Sequence, residues 1–246
     1  MKTFALYNMK GGVGKTASCV NLAYEAAAEG SVTLLWDLDP QGASSYYLNL
    51  KPKIKGGSEQ LFSKNGSVHQ FIKSSEYKHL DVIPADLSNR NLDLFLDDLK
   101  NSQKRFQQML KKLETEYNYL FIDCPPSLTL LTEHVFKAAD YILIPTIPTT
   151  LSERTYKQVI KYMKKHGFDT SKAVPFFSMV DRRKKLHTQT IFDLSHSFNQ
   201  YLHTRIPNSS LIEQMGVYRA PLMAYSRNSE PAQAYRELWS EIKALA

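Results

Sequence analysis

The stretch that decides the fold is "YNMKGGVGKTASCVN", Tyr7 to Asn21. Strand-forming residues from Thr3 to Asn8 lead into Gly11-Gly12-Val13-Gly14, and helical periodicity begins at Lys15. Glycines allow the backbone to turn so that successive N–H groups face one point, and the N-terminus of the following helix adds a partial positive charge. Such a turn is a cradle for a polyphosphate, with Lys15 reaching the β- and γ-phosphates and the Thr16 hydroxyl reaching Mg²⁺. The general phosphate-loop pattern also asks for glycine six residues before the lysine, where this chain has Met9. A second lysine, Lys10, stands on the other flank of the glycines.

Outward from that turn, apolar runs alternate with helical patterns. Strands are predicted at Thr3 to Asn8, Val32 to Asp37, Leu80 to Pro84, Tyr117 to Asp123, Tyr141 to Pro145 and Ala173 to Val180. Helices are predicted at Lys15 to Glu29, Leu92 to Leu113, Leu128 to Lys137, Ser152 to His166, Thr188 to His203 and Pro231 to Leu245. This alternation implies a doubly wound, mostly parallel α/β sheet with helices on both faces. Leu50 to Lys78, with Lys-Pro-Lys-Ile-Lys-Gly-Gly and Ser-Lys-Asn-Gly-Ser, is expected to be loop-rich. The 246 residues show no repeat and no boundary, and the expectation is one domain over 1–246. No apolar run approaches eighteen residues and no cleavable leader is visible, so a cytoplasmic placement is expected. Cys19 and Cys124 are far apart in sequence and lack zinc-site spacing, which argues against a disulfide framework or a metal cluster.

Lys10-Gly11-Gly12-Val13-Gly14-Lys15-Thr16 resembles the deviant Walker A signature of the ParA/MinD ATPases, which is marked by a lysine ahead of the glycines. The resemblance continues through "LLWDLDPQGASS" (Leu34 to Ser45) and "YNYLFIDCPPSL" (Tyr117 to Leu128), with "LDVIPAD", "ILIPT" and "IPN" following in order. It implies a P-loop NTPase fold of the deviant Walker A type and an ATP hydrolase that uses ATP and Mg²⁺. Residues 10–17, from Lys10 through Gly11, Gly12, Val13, Gly14, Lys15 and Thr16 to Ala17, would hold the phosphates. Asp123, ending an apolar strand, suits Mg²⁺ together with Thr16. Asp39 matches the position that orients the attacking water, so the catalytic set implied is Lys10, Lys15 and Asp39. Lys10 would act in trans across an ATP-dependent homodimer, as an arginine finger does. In relatives an Ile-Pro-x-Asn segment wraps the adenine; here Pro207 and Asn208 are the matching candidates, with the asparagine one place early.

Between Glu153 and Arg205 there are eleven Lys or Arg against four Asp or Glu, a local excess of seven that equals the net charge of the whole chain, +7. On the helix predicted there, Arg154, Lys157, Lys161, Lys164 and Lys165 fall on one face and Tyr156, Val159, Ile160 and Met163 on another. A basic face of this kind fits polyanions. The resemblance makes nonspecific DNA the expected partner, with Lys157, Lys161, Arg182, Arg183, Lys184, Lys185 and Arg219 as the candidate contacts. It also implies a ParB-like stimulating partner, nucleoid association, and a role in plasmid or chromosome partition. Two related readings are the positioning of a protein cargo on the nucleoid and a MinD-like membrane-associated regulator. The second needs a basic amphipathic C-terminal helix. Tyr235, Leu238, Trp239, Ile242 and Leu245 form a stripe there, but the charges around it cancel, so a packing helix is expected.

Overall fold

The computed structural model describes residues 1–63, 67–198 and 200–245. Its strands are β1 (Lys2–Leu6), β2 (Thr33–Asp37), β3 (Lys73–Ser74), β4 (Leu80–Ile83), β5 (Tyr119–Asp123), β6 (Tyr141–Thr146), β7 (Ala173–Val180) and β8 (Leu202–Pro207). They form one sheet in the order β3-β4-β2-β5-β1-β6-β7-β8. The β3–β4 pair is antiparallel and every other pair is parallel. Because β1 lies between β5 and β6, the chain winds outward from it in both directions, and the crevice at the carboxyl end of β1 is the switch point of the sheet.

The helices are α1 (Lys15–Ala28), α2 (Ala43–Tyr47), α3 (Leu92–Asp98), α4 (Ser102–Lys111), α5 (Leu130–Ala138), α6 (Thr150–Lys165), α7 (Lys185–Ser197), α8 (Ser210–Glu213), α9 (Met215–Tyr218), α10 (Leu222–Tyr225) and α11 (Glu230–Leu245). Alternate strand residues point to opposite layers. On one face Ala5, Trp36, Ile122 and Ile144 pack with α3 to α7; on the other Phe4, Leu6, Phe121 and Leu143 pack with α1 and α11. The C-terminal stripe lies in this second layer: Tyr235, Leu238, Trp239 and Ile242 are buried, and the Trp239 ring meets Tyr119 edge-on at 5.0 Å. Its apolar face is thus occupied by the protein's own core. No helix among the described residues is long and apolar enough to cross a membrane.

Three expectations change. The helix predicted over Leu92 to Leu113 is broken in two, because Leu99 turns extended and Asn101 takes a left-handed φ of 59°, a conformation asparagine tolerates. The helix predicted over Thr188 to His203 begins at Lys185 and stops at Ser197, and its last residues enter β8. Pairing with β7 and burial of Leu202 and Ile206 override the helical pattern there. The stretch predicted as a loop from Leu50 to Lys78 contains two 3₁₀ turns and β3, and it is anchored by buried Ile54, Leu61, Phe62, Val68 and Phe71. Residues 64–66 of that stretch lie outside the described residues.

Candidate nucleotide site

Parallel strands deliver their carboxyl ends to one edge, and there the sheet register sets the chemistry. Asp123 pairs with Leu6 on one side and with Asp37 on the other, so two carboxylates end neighbouring strands beside the turn that leaves β1. The turn is tied down at its start. Asn8 Nδ2 donates to the Pro145 carbonyl at 2.9 Å, and Asn8 Oδ1 accepts from the Lys10 amide at 2.9 Å. Gly12 and Gly14 take left-handed φ values of 69° and 88°, and Gly14 is the residue from which α1 starts. A side chain at either position would strain the backbone, which is why glycine is required there.

The two lysines of the turn have different surroundings. Lys15 is buried, its Nζ donates to the Lys10 carbonyl at 3.1 Å, and burial lowers its pKa against the opposing pull of Asp123 and Asp39. Lys10 is exposed, as are Gly11 and Gly12, whereas Val13 is buried and Gly14, Thr16 and Ala17 are half-buried. Asp39 is half-exposed just past β2, with Oδ1 accepting the Gln41 amide at 2.9 Å. Lys15, Asp39 and Asp123 therefore act on one another electrostatically across one mouth.

Asp123 is fully buried. Ser44 Oγ donates to its Oδ2 at 2.8 Å, while Oδ1 has no hydrogen-bond partner. Burial pushes its pKa up to about 6, the Ser44 and Thr16 hydroxyls draw it back, and the Asp39 charge raises it further. Asp37 is likewise buried. Its Oδ2 accepts from the Ser45 amide at 2.8 Å and from Ser45 Oγ at 2.7 Å, and burial and the Asp123 charge hold its pKa well above the usual carboxylate range. A carboxylate oxygen left bare in the interior calls for a cation. Asp123 Oδ1 and the nearby Thr16 hydroxyl fit Mg²⁺, which takes one or two protein oxygens and completes its shell with phosphate and water. Among the described residues no group of three or more His, Cys, Asp or Glu side chains is placed to form a metal cage.

Pro207 ends β8 on the same edge, half-buried; Asn208 is exposed, and its amide donates to the Val180 carbonyl at 2.9 Å. The basic candidates differ in their partners. Lys157 pairs with Glu153 at 2.5 Å on α6, and Lys161 is exposed on the same helix. Tyr156, Val159 and Met163 are buried and Ile160 half-buried on its inner face, as their spacing predicts. Arg182 pairs with Glu230 at 3.4 Å, and Arg183 forks onto both Asp181 oxygens at 2.9 Å. Among the described residues Lys184 and Lys185 have no carboxylate within 4.0 Å. Arg219 lies elsewhere, its guanidinium over the Tyr46 ring at 4.6 Å from the centroid. Sequence reasoning gave no role to Ser44, Ser45 or Asn8. Hydroxyls two and three residues after Gly42, inside a segment already tied to the site, were the available signal for the first two.

A strand feeding a glycine turn and a helix at the switch point of such a sheet makes this a P-loop α/β protein. The family model for the AAA domain matches residues 1–173. The sporulation initiation inhibitor protein Soj of Bacillus subtilis (strain 168) is 30% identical over 99% of this chain and 98% of its own length. Two solved structures share the fold. Cobyrinic acid a,c-diamide synthase from Mycobacterium smegmatis, with bound ATP analogue and magnesium, has a TM-score of 0.83 at 22% identity, over 99% of this chain and 94% of that one. An ATP complex of a McdA variant from Cyanothece has a TM-score of 0.83 at 19% identity, over 99% and 96%. The chain belongs to the ParA/MinD family of partition ATPases.

Proposed function

We propose that residues 1–246 act as one ATPase domain that binds ATP and Mg²⁺, dimerises around the nucleotide and, as a dimer, binds DNA without sequence preference to drive partition. The observation that carries this reading is the contrast between the lysines of one glycine turn: Lys15 is buried beside Asp123 and Asp39, and Lys10 faces solvent. Backbone amides of residues 11–16 and the Lys15 ammonium cradle the phosphates. Thr16 and Asp123 hold the metal. Bound there, Mg²⁺ neutralises charge on the phosphates and orients them for attack. Asp39 orients the attacking water. Burial around Asp123 and Lys15 keeps bulk water out and strengthens each of these interactions.

Lys10, unable to turn back onto the phosphates of its own loop, reaches those of the partner subunit. Pro207 packs near the base, with Asn208 at its edge. Two subunits brought together double the cationic surface of α6 and the Arg182 to Lys185 turn, which steepens affinity for phosphate backbones. Slow hydrolysis, stimulated by a ParB-like partner, releases the dimer, and the cycle runs in the cytoplasm on the nucleoid. Soj, a full-length relative, and the ATP complex of McdA support the reading. The test compares two variants by nucleotide titration, light scattering and phosphate release. Lys15→Ala is expected to lose ATP binding. Lys10→Ala is expected to keep it while losing ATP-driven dimerisation and turnover, and a Lys10→Ala protein that dimerises and hydrolyses normally rules the assignment out.

A further inference from the structure

The end of β7 contains a backbone conformation that a plain strand has no use for. Met179 takes φ +53°, a left-handed value that costs a residue with a side chain about 1 kcal/mol or more. From the Phe177–Arg205 pair to the Val180–Pro207 pair, β7 advances three residues while β8 advances two, so the strand bulges at residues 178–179. Strain held at such a point is a reason to ask what it positions.

The bulge carries Ser178, which is 1% exposed. Its Oγ donates to the Val13 carbonyl at 2.8 Å, across 165 residues of sequence. Among the described residues no backbone N–H reaches that carbonyl: the first main-chain bond of the helix start runs from Ser18 to Gly14. A trans peptide points the carbonyl of one residue and the N–H of the next in opposite directions. Holding the Val13 carbonyl back against β7 therefore turns the Gly14 N–H outward, to the open side of the turn. Just past the bulge, the Val180 carbonyl accepts the Asn208 amide at 2.9 Å.

We propose that Ser178 is a positioning residue for nucleotide binding: its hydroxyl sets the Val13–Gly14 peptide so that the Gly14 N–H is already aimed at a phosphate before the ligand arrives. Met179 holds the strained conformation that places Ser178 there. The inference rests on the nucleotide reading above. Without the hydroxyl the Val13 carbonyl is left buried and bare, and the peptide is free to rotate away from the productive direction, which weakens the phosphate cradle by the worth of about one hydrogen bond.

The test is calorimetric titration of ADP and ATP into the full chain with Mg²⁺, for wild type, Ser178→Ala and Ser178→Thr, together with melting temperatures with and without saturating ADP. Ser178→Ala is expected to weaken ADP and ATP binding by the same factor of about ten, and to shrink the melting-temperature gain that ADP confers. Ser178→Thr, which keeps the hydroxyl, is expected to bind within about twofold of wild type, because the Val13 carbonyl keeps its donor. Wild-type affinity in Ser178→Ala overturns the proposal, and so does an equal loss in Ser178→Thr. A wild-type protein that binds neither nucleotide overturns the nucleotide reading instead.

Discussion

Replacing Asp123 by asparagine should remove a loss of stability that the ligand-free protein undergoes as pH rises from about 4 to about 6, and should also remove its use of Mg²⁺. The Asp123 pKa is raised from 3.8 to about 6, chiefly by burial, against the pull of the Ser44 and Thr16 hydroxyls and Lys15. The native state therefore holds the proton more tightly than the unfolded chain does. Stability from this group is fully present below pH 3.8 and is lost as pH rises through about 6. At about 1.4 kcal/mol per pH unit, the displacement corresponds to roughly 3 kcal/mol. Asparagine keeps an oxygen for the Ser44 hydroxyl, and its unpaired amide group adds a cost of about 1–3 kcal/mol that does not depend on pH. The quantity to read is thus the wild-type minus Asp123→Asn stability from urea unfolding in EDTA, measured at several pH values. It should fall by about 2 kcal/mol between pH 4 and pH 7.5, the rest of the displacement lying below pH 4. A difference that stays constant across that range refutes the argument that Asp123 is a buried charge awaiting a cation.

Three further outcomes are expected. Gly14→Ala should lower stability by about 1 kcal/mol, read as a shift of the urea midpoint, because φ is 88° while the added Cβ meets only Ser178 Cβ at 3.9 Å: the cost is backbone strain, not a clash. Trp239→Ala should cost about 3–5 kcal/mol in the same assay, since the ring is fully buried against Phe4, Tyr119 and Phe121 and its Nε1 donates to Glu29 at 3.0 Å. Replacing Lys184 and Lys185 together by glutamine should weaken ATP-dependent retention of nonspecific duplex and reduce the slope of log affinity against log salt by about two. Retention with an unchanged slope would place the DNA face elsewhere.

The site was more legible in sequence than the elements around it. The glycines, Lys15 and Thr16 lie within residues 11–16, where a phosphate turn calls for those types, and Lys10 just ahead of them was picked out by the family resemblance. Asp37 and Asp123 could be placed at strand ends because each closes an apolar run. Leu202 and His203, which open β8, were read as the end of a helix and the strand itself was not predicted, because the alternation in "LHTRIP" is weak and its pairing partner lies some thirty residues earlier. The same limit hid Ser44, Ser45 and Ser178. The neighbours of Ser44 and Ser45 tied them to the site without saying which carboxylate each hydroxyl would meet, and nothing around Ser178 along the chain says that it will meet a loop carbonyl from another strand. Arg182, Arg183, Lys184 and Lys185 looked like four equivalent cations, yet two of them are paired with Glu230 and Asp181.

By itself the sequence determined the glycine turn, the alternation of strands and helices, and the family, because those depend on residue type at short spacing. Tertiary structure alone decided which strand ends meet. It set Asp37 and Asp123 side by side, left an Asp123 oxygen bare, buried Lys15 while exposing Lys10, and brought β7 against the glycine turn through Ser178. Burial and sheet register are properties of the whole chain, and they convert a row of polar residues into a site with a charge to be met.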